Sequence, residues 1–203
     1  MPEETRKESV GMETGEPLIA CGIFRHELAS VLPAECGIAV HWLDAALHAD
    51  TERMKAALDH AVAVHRANSA DRIRLLFGSG CHPDIGKIAE GCGSCLPPVK
   101  NCIQAIIGPH RARQLEADRT MLVTPGWITA WPDIMKGLGW DEVDVRINLG
   151  RYDRIVLIEA GAAAVSDEGI LAFYDLVQVP IEIESVDLSY FKNLVDQILD
   201  APP

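Results

Sequence analysis

Four cysteines fall within the 22 residues from Cys81 to Cys102. The first closes the run Arg74-Leu-Leu-Phe-Gly-Ser-Gly-Cys81, which reads as a buried strand entering a glycine turn. A thiol placed there stands just past a strand's carboxyl end, the edge at which open α/β sheets hold their ligands. Cys92, Cys95 and Cys102 follow on the same crossover.

Parallel strands share one carboxyl edge, so the residues that follow each strand form a common rim. Cys21-Gly22 comes after the first strand, His48 after the second, and Gly78-Ser-Gly-Cys81-His82 after the third. Asn101-Cys102 and Thr124-Pro-Gly-Trp127 follow the next two. Three thiolates from separate elements, with a fourth position open, suit either a zinc ion that activates a substrate or an iron–sulfur cluster with one exchangeable iron. The expected metal ligands are therefore Cys21, Cys81 and Cys102, with Cys92 and Cys95 as further candidates. His48 and His82 are expected in the cofactor site, because imidazole commonly completes a thiolate metal centre. Trp127 is expected there as the wall against a flat ligand. Thiol chemistry and simple packing of small apolar side chains stay open for the same sulfurs.

A closed structural zinc set of Cys81, Cys92, Cys95 and Cys102 fits less well, because C-x10-C-x2-C-x6-C lacks two tight pairs. Cys92-Gly-Ser-Cys95 has redox-motif spacing, yet Leu96-Pro97-Pro98 follows it and prevents the helix that thioredoxin-like motifs open. Cys102, directly after the candidate cap Asn101, sits where helix amides favour thiolate, and is expected to be the most acidic of the six cysteines. Cys36 reads as a packed loop residue. The dinucleotide fingerprint fails at Pro83, and the phosphate-loop pattern over residues 80–87 has the wrong spacing. Glu159, after the sixth strand, is the best placed carboxylate for acid or base work.

The elements that position these residues are strand-length apolar runs alternating with helical patterns, an α/β class with a mostly parallel, Rossmann-like sheet flanked by helices on both faces. Strands are expected at residues 18–21, 38–43, 73–77, 95–97, 120–123, 155–158 and 179–183. The surest helix is 51–68, with Met54, Leu58 and Ala61 at helical spacing and Asp50 or Thr51 as cap. Asn101 caps a further helix that resumes after Pro109. Others are expected at 126–138, 166–176 and 190–199.

Residues 1–16 read as a flexible leader and residues 17–200 as a single α/β domain, of one lobe or two, in a chain of 203 residues. With 30 acidic against 18 basic residues, the net charge of -12 repels phosphate backbones and anionic lipid, so neither nucleic acid nor membrane is an expected partner. No apolar stretch reaches the length of a membrane helix, and the polar leader is unlike a secretory signal, which predicts a cytoplasmic location. Cysteines in that reducing compartment are better read as ligands, redox groups or core fillers than as a disulfide framework.

Leu18-Ile-Ala-Cys-Gly22, Leu47-His48, Phe77-Gly-Ser-Gly-Cys81, Asn101-Cys102 with Gly108, and Thr124-Pro-Gly-Trp127 together resemble a domain of unknown function common in methanogens and other anaerobes. Its genes often lie beside corrinoid-dependent methyltransferases. The resemblance runs from about Leu18 to the end of the last strand. It implies that the cysteines matching Cys21, Cys81 and Cys102 recur, with an aspartate where this chain has Asn101. Joined to the metal or iron–sulfur site read from the cysteines, it implies an enzyme or accessory protein of anaerobic one-carbon metabolism, acting on a small-molecule substrate as a metal-dependent methyltransferase or lyase where it is an enzyme. The alternative it implies is a non-catalytic module with structural cysteines, docked on a corrinoid protein or a methyltransferase.

Overall fold

The computed structural model describes residues 16–33, 37–68 and 70–201. The expected leader, Glu16 apart, and Cys36 lie outside the described residues. Among these residues six parallel strands form two sheets of three rather than one continuous sheet. The first has β1 (Leu18–Cys21) at its centre, between β2 (Val40–Leu43) and β3 (Arg74–Leu76). The second runs in chain order, β4 (Thr120–Val123), β5 (Arg154–Glu159) and β6 (Ile181–Ser185).

Helices α1 (Arg25–Val31), α2 (Thr51–Ala67), α3 (Ile85–Gly91) and α4 (Cys102–Leu115) belong to the first half of the chain. Helices α5 (Pro125–Leu138), α6 (Glu142–Leu149), α7 (Asp167–Val177) and α8 (Ser189–Asp200) complete the order. Caps set several of these starts, as side-chain oxygens satisfy amides that have no partner inside the helix. Asp50 accepts from the Arg53 amide at 3.0 Å, and Asn101 accepts from that of Gln104 at 2.9 Å. Helix α4 is two helices in one run, broken where Gly108 takes φ 80° and ψ 153° ahead of Pro109.

The alternation of strand β5 joins the lobes. Ile155 and Leu157 point into a core with Val123, Trp131 and Phe173. Val156 and Ile158 point the opposite way, into a core with β1, α4 and α8. A strand buried on both faces reads as an unbroken apolar run, which is what Ile-Val-Leu-Ile is. Helix α8 returns to the first lobe, where Arg74 donates to the carbonyls of Leu199 (2.7 Å) and Ile198 (3.2 Å). Cations at a helix C-terminus satisfy its free carbonyls and oppose the negative end of its dipole.

The strand expected at 95–97 does not form. Pro97 and Pro98 lack amide donors, and the segment instead serves as a connection whose Val99 carbonyl accepts from Ser79. No described helix is long and apolar enough to cross a membrane.

Candidate functional site

Cys21 ends β1 beside Leu43, the last residue of β2. Cys81 closes the turn after β3, its amide donating to the Gly78 carbonyl at 3.0 Å. This turn is laced to the segment ahead of α4, with the Ser79 amide on Val99 O and the Gly80 amide on Lys100 O, both at 2.9 Å. Only glycine fits at position 78, because a Cβ there would lie 2.3 Å from the Lys100 carbonyl. That close approach is what brings the β3 turn, and Cys81, up to the first turn of α4, which begins with Cys102. The second lobe reaches the same rim through the start of α5. Gly126 packs so tightly on Ile23 that a Cβ would lie 2.5 Å from the Ile23 oxygen.

These approaches bring three of the expected ligands together. Burial pushes the Cys21 thiol up to about 12, and an ionised Cys102, Cys81 or Asp44 nearby would raise it further against the pull of the Ile23 amide. Burial likewise pushes Cys102 up to about 11, the Trp127 N–H pulling the other way and Cys81 adding to the rise. Burial raises Cys81 as well. All three are therefore thiols at neutral pH. The expectation that Cys102 would be the most acidic of the six cysteines is not met: a place in the first turn and a donated hydrogen bond do not offset the loss of water around the sulfur. Among the described residues no group of three His, Cys, Asp or Glu side chains is arranged to hold a metal ion.

Trp127 follows the Thr124 cap, whose Oγ1 accepts its amide at 3.3 Å. Its indole Nε1 donates to the Cys102 sulfur at 3.2 Å. His48 lies alongside, with ring centres 5.7 Å apart, and its Nδ1 is 3.0 Å from the Ala45 carbonyl. A proton on Nδ1 makes that contact a hydrogen bond and leaves Nε2 as the free acceptor, the tautomer suited to a ligand. His82 is buried in the turn that leads to α3, where Nδ1 accepts from the Asp84 amide at 3.0 Å.

Cys92 and Cys95 do not join the group. Cys92 is buried at the end of α3, and its carbonyl accepts from Ile73, just ahead of β3, which places it at the opposite end of that strand from Cys81. Its thiol is raised by burial and lowered by Arg66, with none of the other three sulfurs acting on it. Cys95 is exposed.

Cys102 and Trp127 border a cavity of about 380 Å³ that extends past Asn101 and Met121 to Glu116 and Tyr152. Sequence reasoning missed Asp44, Glu116 and Tyr152. Asp44 directly follows β2 and was within reach of the same rim logic. Glu116 and Tyr152 lie near the opposite end of β4, and no spacing in the sequence announces that they share a cavity with Cys102.

Residues 42–195 match the sequence pattern of a family described as "Protein of unknown function (DUF1638)". The chain belongs to this family. The DUF1638 match takes in His48, Cys81, Cys102 and Trp127, and begins beyond Cys21. No curated protein and no solved structure matches the chain.

Proposed function

We propose that Cys21, Cys81 and Cys102 take up a thiophilic metal, as a zinc ion or an iron–sulfur cluster, and that the cavity beside Cys102 brings a small substrate to it. The observation that carries this reading is the delivery of three thiols from three separate elements to within electrostatic reach of one another. No cationic side chain is among the leading influences on Cys21 or Cys102. A soft cation is the partner such sulfurs lack, and its uptake would release their protons. Uptake has to draw the sulfurs closer, since no ligand set stands ready in the ligand-free arrangement. The bound metal would supply Lewis acidity toward a substrate oxygen or thiol. His48, with Nε2 free, stands at the same rim to receive a proton or a fourth bond. The setting we assign is anaerobic one-carbon metabolism linked to corrinoid-dependent methyl transfer, on the strength of the motif resemblance.

One observation favours a second reading, a non-catalytic module that docks on a methyltransferase or corrinoid protein. Val143 and Ile147, one turn apart on α6, are 60% and 69% exposed, and Leu171 on the adjoining α7 is 60% exposed. Helices α6 and α7 pack together, and large apolar side chains this exposed mark an interaction surface where they form one patch.

Oxygen-free purification, with zinc, iron, cobalt and acid-labile sulfide counted per chain for native protein and for Cys81→Ser, tests the first reading. It expects zinc, or iron with sulfide, in the native protein and loss in the folded variant. Metal-free protein in both, after anaerobic reconstitution, overturns it and leaves the docking module in front.

A further inference from the structure

Side chains of a strand alternate between the faces of its sheet, so three consecutive residues do not line one cavity through a single face. Thr120, Met121 and Leu122 nonetheless all border the cavity that reaches Cys102. The cavity therefore runs along the edge of β4. That edge is open: β4 is the outer strand of its sheet and pairs with β5 alone. Among the described residues, no backbone group outside the sheet hydrogen-bonds to the backbone of β4. The amides and carbonyls on that side of the strand have no backbone partner among the described residues, and with the cavity alongside they are a ready template for another strand.

The two ends of the groove differ in chemistry. Cys102 and Trp127 stand where β4 ends, and the exposed Glu116 carboxylate and the Tyr152 ring stand where it begins. Helix α4 contributes at both ends, and its break at Gly108 separates the half that carries Cys102 from the half that leads to Glu116. At about 3.3 Å per residue, three extended residues span roughly 10 Å, the length of the edge that Thr120, Met121 and Leu122 offer. A cavity of about 380 Å³ is at the small end of ligand pockets, large enough for a short ligand and too small for a folded one.

We infer that this groove binds a short peptide in extended form, about three residues long, added to β4 as a parallel strand with its amino terminus at Glu116 and its carboxyl-terminal residue beside Cys102 and Trp127. Main-chain hydrogen bonds supply the affinity in such strand addition, and side-chain contacts supply the selectivity. The inference deepens the proposed function by naming a substrate class, and rests on it only in setting the peptide's far end beside the thiols.

The test uses the full-length chain labelled with nitrogen-15 and an equimolar tripeptide library with free termini, compared with the same library N-methylated at both amides. The free library is expected to move the amide signals of Thr120, Met121 and Leu122 saturably, and the methylated one to bind about tenfold more weakly or less, since its donors are gone. Glu116→Gln is expected to weaken the free-amine library about 2- to 5-fold, the small effect of an exposed ion pair, and to leave an N-acetylated library unchanged. Silence from both libraries, or equal shifts from both, overturns the inference. The titration is repeated on metal-free Cys102→Ser protein. Peptide shifts there, with native protein that takes up no metal, sink the metal proposal alone, whereas metal uptake with an unresponsive β4 sinks the peptide alone.

Discussion

The indole N–H of Trp127 donates to the sulfur of Cys102 across 3.2 Å, so a side chain of the second lobe holds a thiol of the first. The bond favours the ionised form, in opposition to the burial that pushes Cys102 up to about 11. Trp127→Phe keeps an aromatic wall and removes the donor. A hydrogen bond to a charged group is worth ~1.5–3 kcal/mol, so the Cys102 thiolate is expected to appear about one pH unit higher or more. Titration by ultraviolet thiolate absorbance, with Cys102→Ser as the blank, checks this. A titration that does not move means the contact has no electrostatic effect.

Gly78→Ala drives a methyl group into the Lys100 carbonyl, which is backbone and has no rotamer to retreat to. Overpacking of this kind costs about 1–3 kcal/mol. The turn has to move away from α4, so the variant is expected to melt lower and to part Cys81 from Cys102. A bifunctional thiol crosslinker that joins the two in the native chain should lose its yield in the variant, measured by peptide mass. Gly86→Ala, with open space around it, is the control expected to change neither reading.

The rim was legible because parallel strands obey one rule: whatever follows them lies on one edge. Cys21, Cys81, Cys102 and Trp127 could be grouped on that rule before any contact was known, and His48 arrives beside Trp127 by the same route. Cys92 misled because it is near Cys81 in sequence, while α3 carries the chain back to the start of β3. The acidity expected of Cys102 failed for a different reason. Sequence places a residue in a helix's first turn, but the degree of burial there is decided by what packs over it. The split into two sheets was not legible either, since each strand reads as buried whether its neighbour lies in the same sheet or across a helix.

The raised thiols make stability depend on pH in a definite direction. Cys21 and Cys102 keep their protons in the folded state up to about 12 and about 11, whereas the ordinary thiol value is 9.0. Between those limits the unfolded chain binds fewer protons than the folded one, so stability is full below about pH 9 and falls as pH rises toward 11. Each thiol contributes a slope approaching 1.4 kcal/mol per pH unit, roughly, within its window. Urea unfolding of native protein and of Cys21→Ser between pH 8 and pH 11, in steps of about one unit, isolates the share of Cys21. Parallel curves for the two proteins would show that Cys21 ionises as freely folded as unfolded.

The same protons set how the proposed metal binds. Three thiols that are neutral at pH 7 must each give up a proton to become ligands, so apparent zinc affinity is expected to climb steeply between pH 6 and pH 8, by up to about a thousandfold per pH unit if all three ligate. The slope counts sulfurs in a way that stoichiometry does not. Competition against a zinc indicator of known pH dependence gives the slope for native protein, and Cys21→Ser, Cys81→Ser and Cys102→Ser should each lower it by about tenfold per pH unit. A slope unchanged in one of these variants removes that cysteine from the site. A flat dependence in the native protein would mean that the bound zinc sits on carboxylates elsewhere, and a rise that levels off near pH 7 would point to imidazoles; in either case the convergence of the three thiols would be packing.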